Sequence, residues 1–86
     1  MQRATSTDFT TWTVTGQDAL RDLPPWIANP SNPFVWAPHV IQRDDGTFLL
    51  YYSAITNTAG DGKMHCIGTA TSASIEGPYD SDSNAP

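Results

Sequence analysis

Val35-Trp36-Ala37-Pro38-His39-Val40-Ile41-Gln42-Arg43 runs into Asp44-Asp45-Gly46 and out again through Thr47-Phe48-Leu49-Leu50-Tyr51-Tyr52-Ser53-Ala54. An Asp-Gly between two apolar runs is a strong short-range hairpin signal, because Gly accepts positive φ and Asp bonds its own backbone. The first run reads as an extended segment with Pro38 tolerable near its start. The second is nearly continuous in β-formers and aromatics, the pattern of a strand buried on both faces. Working outward, Thr56 to Gly62 is a polar, Gly-containing loop, and Met64 to Ser72 is a third strand. The small residues of that strand predict close packing against a neighbouring sheet. Ile75-Glu76-Gly77-Pro78-Tyr79 turns the chain again, and Asp80 to Pro86 has the composition of a linker. Helix signals are almost absent. Leu20-Arg21-Asp22-Leu23 has room for one turn before Pro24-Pro25 stops it.

An internal repeat extends the reading towards the N-terminus. Ala4-Thr5-Ser6-Thr7-Asp8-Phe9 resembles Ala70-Thr71-Ser72-Ala73-Ser74-Ile75 at an offset of 66 residues, and an aromatic follows each copy. Strands that return to the same junction motif are the signature of β-propeller blades. The expected division is the end of one blade at 1–15, a connection at 16–34, the next blade at 35–79 and a linker at 80–86. Roughly five such repeats close a ring.

Composition narrows the function classes. The 86 residues make one small domain at most, with 38% hydrophobic and 15% charged residues. The single Cys66 excludes an internal disulfide and every multi-cysteine zinc motif. With those stabilisers missing, the chain is expected to pack against something else or to be a piece of something larger. Four basic against nine acidic residues give a net charge of −5. That speaks against nucleic acid and against an anionic membrane surface, since phosphate neutralisation needs clustered cations. No apolar run approaches the roughly 20 residues of a membrane helix. Met1 to Asp8 contains no apolar core of a secretory signal.

Four blocks then meet a known pattern. Trp36-Ala37-Pro38-His39-Val40, the Asp45-Gly46-Thr47-Phe48-Leu49-Leu50-Tyr51-Tyr52-Ser53 run, Ile67-Gly68-Thr69-Ala70-Thr71-Ser72 and Gly77-Pro78-Tyr79 resemble, in order and spacing, glycoside hydrolase family 43. Thr5 to Trp12 also resembles the end of that family's first blade. The resemblance implies an all-β fragment of a five-bladed β-propeller of the arabinanase, arabinofuranosidase and xylosidase type. It implies inverting hydrolysis of O-glycosidic bonds in arabinan- or xylan-type plant polysaccharides. One carboxyl group protonates the leaving oxygen and another activates water, roughly 6.5–9.5 Å apart. The resemblance places the base Asp before Met1 and the acid Glu after Pro86. A third carboxylate, which tunes the acid, falls at the position of His39. By itself the chain is therefore expected to be inactive, and the alternative reading is a non-catalytic carbohydrate-binding or interaction module. No cofactor is required. The full-length family member is expected outside the cell.

His39 is the candidate catalytic position, since an imidazole can hydrogen-bond a carboxylic acid and shift its pKa. It is also a candidate substrate contact; the plain alternative is a capped histidine at a strand start. Trp36 is a candidate sugar-stacking platform or else a packing anchor. Asp61 is the one acid on a loop returning to the side of His39, and so the third substrate-contact candidate. Asp44 and Asp45 fall at the far end of the strand, roughly 13–17 Å from His39 at 3.3 Å per residue, and the turn with Glu76 falls on that far side too. Adjacent strand residues face opposite ways, so His65 and Cys66 are not expected to share a metal, and no metal site is assigned. The expected partner is a polysaccharide or oligosaccharide. Exposed strand edges on a lone blade also favour self-association.

Overall fold

In a computed structural model, which describes residues 1–57 and 64–86, the chain is all-β. Six strands are present among the described residues: β1 (Arg3–Thr5), β2 (Thr13–Thr15), β3 (Val35–Gln42), β4 (Phe48–Ile55), β5 (His65–Ser72) and β6 (Asp80–Ser81). β1 and β2 form a two-stranded sheet, and β3-β4-β5-β6 form an antiparallel four-stranded sheet in chain order. No helix of the described residues is long and apolar enough to cross a membrane.

The Asp45-Gly46 signal makes the β3–β4 hairpin it predicts. Gln42 pairs with Phe48, and Gly46 takes φ +87° between them. The Gly46 amide donates to the Arg43 carbonyl at 3.0 Å. Asp45 Oδ1 accepts from the Thr47 hydroxyl at 2.6 Å and the Thr47 amide at 2.9 Å. These two bonds, the hydroxyl foremost, hold the Asp45 carboxyl below the usual carboxylate range.

Two expectations are corrected here. Asp80 and Ser81, read as part of a linker, form β6 against Thr71 and Ala70. Leu20 does not open a helical turn but bridges Tyr79, whose amide donates to the Ala19 carbonyl at 2.7 Å. An extended partner at Tyr79 outcompetes a helical turn that Pro24-Pro25 would cut short.

The repeat is visible in the hydrogen bonds. Ser6 Oγ accepts from the Asp8 amide, and Ser72 Oγ, 66 residues on, accepts from the Ser74 amide. Asp8 Oδ1 accepts from the Thr10 amide, and Ser74 Oγ accepts from the Glu76 amide at the equivalent place. β1–β2 thus reproduces the β5–β6 hairpin, with a turn one residue shorter.

The core lies on one face of the large sheet. Leu50, Tyr52 and Ala54 of β4 and Ala70 of β5 are covered by Leu20, Trp26 and Ile27 from the 16–34 connection. That connection is stapled to the exit of β4: Ala28 donates to the Ile55 carbonyl at 2.8 Å, and Asn57 donates to the Trp26 carbonyl at 2.9 Å. Trp26 stacks flat on Tyr52, centroids 6.1 Å apart and planes 5° apart. The Tyr52 hydroxyl is buried with no well-formed hydrogen bond among the described residues; burial raises its pKa, and the Ser81 side chain opposes that rise. The apolar run of β4 suggests burial on both faces, but the second face is buried only in part: Leu49 is covered there and Tyr51 is not. Alternate residues point opposite ways, and the connection folds over one side only. Tyr51 on the other side stays 37% exposed, and Ile67 beside it 60%.

Candidate functional site

The open face is organised by an irregularity in β3. Trp36 pairs with Ser53 and His39 pairs with Tyr51, so Ala37 and Pro38 together oppose the single residue Tyr52. This is a β-bulge, and Ala37 takes the left-handed φ of +51° that it requires. Pro38 has no amide hydrogen to give the ladder and is accommodated there.

The bulge changes which residues share a face. In an uninterrupted strand, Trp36 and His39, three apart, point in opposite directions. Directly opposed residues of an antiparallel pair share a face. Trp36 and His39 therefore both stand on the face of Ser53 and Tyr51, away from the core. The β4–β5 register continues that face onto β5. Thr69 stands across from Tyr51, Ile67 across from Ser53 and His65 across from Ile55. The Trp36 and His65 rings meet edge to face, with centroids 4.9 Å apart and planes at 82°.

His39 is the fifth residue of the eight-residue β3, not a residue at the strand start, and it is exposed. Trp36 is part-exposed on the same face, so these two candidates are brought together. Asp61 lies outside the described residues. Cys66 pairs with Ala54 and half-buries on the core side, opposite to His65. Among the described residues, no group of three or more His, Cys, Asp or Glu gathers to hold a metal ion.

Asp8, Asp80 and Asp82 serve structure. Asp8 accepts from the Thr10 and Thr11 amides, both at 2.9 Å, and from the Ser6 hydroxyl. The Thr11 amide first, then Thr10 and Ser6, holds its carboxyl below the ordinary value. Asp80 pairs with Arg21 at 2.6 Å, and Asp82 accepts from the Thr71 hydroxyl at 2.8 Å. The register places the Asp44-Asp45 and Glu76 turns together at the end where Gln42, Phe48 and Ser72 align. Trp36 and His65 lie at the other end. What sequence reading missed is His65 as the neighbour of Trp36. A mid-strand Ala-Pro is a sequence signal for the bulge, but nothing local pairs residues 36 and 65.

The model of the family described as glycosyl hydrolases family 43 matches residues 1–86. An extracellular endo-alpha-(1->5)-L-arabinanase from Thermotoga petrophila is 49% identical over 62 residues. That stretch is 72% of this chain and 12% of the relative, so the chain spans a small part of the relative's length. No solved structure gave a significant match. Its all-β, antiparallel architecture agrees with part of a β-propeller, and with the family model covering it from end to end, the chain belongs to glycosyl hydrolases family 43.

Proposed function

We propose that these residues are the sugar-contacting blade of an extracellular glycoside hydrolase acting on α-1,5-linked arabinan. The observation that carries the reading is the Ala37-Pro38 bulge, which puts Trp36 and His39 on one exposed face. The arabinanase relative supports arabinan as the polymer and the outside of the cell as the place.

On this reading the two side chains bind and orient, and they do not hydrolyse. The Trp36 ring covers the C–H face of a pentose, an apolar surface that favours an aromatic partner. The His39 imidazole offers one donor and one acceptor when neutral, enough for a sugar hydroxyl or for the carboxylic acid that protonates the leaving oxygen. Inverting hydrolysis needs two carboxyl groups facing one bond from opposite sides. Asp8, Asp45, Asp80 and Asp82 are each committed to turns or pairs. The family pattern, in addition, puts a carboxylate at none of the matched positions of these residues, so on this reading they bind arabinan without cleaving it.

A non-catalytic binding module is the second reading. His39 in place of an acid favours it. Titration with linear α-1,5-arabino-oligosaccharide, followed by Trp fluorescence and by reducing ends, tests the proposal. Saturable binding without product is expected. Product above the buffer background overturns the inactivity of the chain, and absence of binding overturns the sugar reading itself. Saturable binding that Trp36→Ala and His39→Ala leave unchanged would remove these two residues from the site.

A further inference from the structure

A stacking platform binds well only if its ring plane is held before the sugar arrives, since freezing a loose side chain costs binding free energy. Trp36 lies on β3, the edge strand of its sheet, with a neighbouring strand on one side only. The residue directly across from it is Ser53, too small to fix an indole. His65, on β5 and diagonal to Ser53 across the sheet, meets the Trp36 ring at 4.9 Å and 82°. The edge-to-face arrangement is directional, so it selects one ring orientation out of those the indole would otherwise sample.

We propose that His65 is the positioning residue of the sugar platform, locking Trp36 in the plane in which it stacks on a pentose beside His39. His65 acts through Trp36 and needs no contact with the sugar. The bulge at Ala37 sets the face, and His65 sets the ring on that face. The assignment rests on the sugar-binding reading above.

The test uses the full chain carrying Trp12→Phe. Trp26 is fully buried, so Trp36 is then the solvent-accessible indole. Linear α-1,5-arabino-oligosaccharide is titrated, and the rotational freedom of the Trp36 ring is read by time-resolved fluorescence anisotropy without sugar. His65→Ala is expected to free the ring and to weaken binding roughly five-fold, the scale of one aromatic pair. His65→Phe, which keeps a ring edge, is expected to restore both. Equal melting midpoints of the two variants exclude a folding defect. Binding and ring motion unchanged in His65→Ala would overturn the role of His65 while leaving the sugar reading intact. A failure of His65→Phe to restore either readout also overturns it. A parent chain that binds no arabino-oligosaccharide overturns the sugar reading, and this assignment with it.

Discussion

The Tyr52 ring occupies the space that any side chain on Gly68 would need. The two residues face each other across β4 and β5, and a Cβ built on Gly68 falls inside the van der Waals envelope of the Tyr52 Cζ, Cε2 and Oη atoms. Trp26 lies parallel to the same ring, its centroid 6.1 Å away, and Tyr52 is buried, which limits its room to shift. The glycine is there because a close approach demands it.

Gly68→Ala is therefore expected to overpack the core, at a cost of about 1–3 kcal/mol. Urea unfolding followed by far-UV circular dichroism reads this as a lower midpoint with an unchanged slope. An unchanged midpoint would mean that the Trp26–Tyr52–Gly68 layer is not the tight contact described.

Tyr52 carries a buried hydroxyl with no well-formed hydrogen bond among the described residues, Ser81 being the polar side chain that acts on it. Removing it in Tyr52→Phe is expected to be neutral or to stabilise slightly, since an unsatisfied buried polar group costs about 1–3 kcal/mol. Burial raises the pKa of Tyr52 and also of Tyr79, which donates to the Ile75 carbonyl. The folded chain thus binds these protons more tightly than the unfolded one. Stability is fully present below the ordinary value of 10.0 and falls as the pH rises above it. Melting midpoints between pH 8 and 11 check this, with a shallower alkaline loss expected in Tyr52→Phe.

The Asp8 turn makes a second pH prediction of opposite sign. Its depressed pKa means that its support is present above the ordinary 3.8 and is lost as pH falls through the lower folded value. Asp8→Ala is expected to speed amide exchange at Thr10 and Thr11. Asp8→Ser is expected to keep much of the protection, because Ser74 fills the equivalent place in the second copy of the turn. Equal exchange in the two variants would break the structural equivalence of the repeats.

Ala37 is the hinge of the candidate site. A left-handed residue with a Cβ costs roughly 1–2 kcal/mol, and a β-branched one more. Ala37→Val is expected to destabilise the chain by about 1–2 kcal/mol and to shift the Trp36 emission. Ala37→Gly is expected to leave both nearly unchanged, since relief of strain offsets the added backbone entropy. An Ala37→Val chain with native stability and emission would show that the bulge does not depend on this φ.

The strands and the family pattern were legible in the chain because their causes are local. Asp45-Gly46 brings its own turn chemistry, so the β3–β4 hairpin follows within a few residues. The Ser6/Ser72 and Asp8/Ser74 pairs each bond an amide two residues away, so equivalent side-chain acceptors make equivalent turns. His39 was legible as a position in the four-block pattern, but its place in mid-strand was not. Asp80-Ser81 reads as linker because it has no β-forming side chains. Its pairing comes from the preceding turn delivering it to the free edge of β5.

By itself the sequence determined the all-β character, the hairpin turns, the 66-residue repeat and the family. These depend on backbone preferences and on hydrogen bonds that close within a few residues. The tertiary structure alone decided which way the side chains face. One extra residue in β3 reverses the parity of everything before it, so the Ala37-Pro38 bulge brings Trp36 round to the side of His39. The fold of residues 16–34 over one side of β4 left Tyr51 on the other side exposed, and the register across three strands brought His65 to Trp36 from 29 positions away. No local pattern carries that information, because parity and register are set by pairing between strands, not within one.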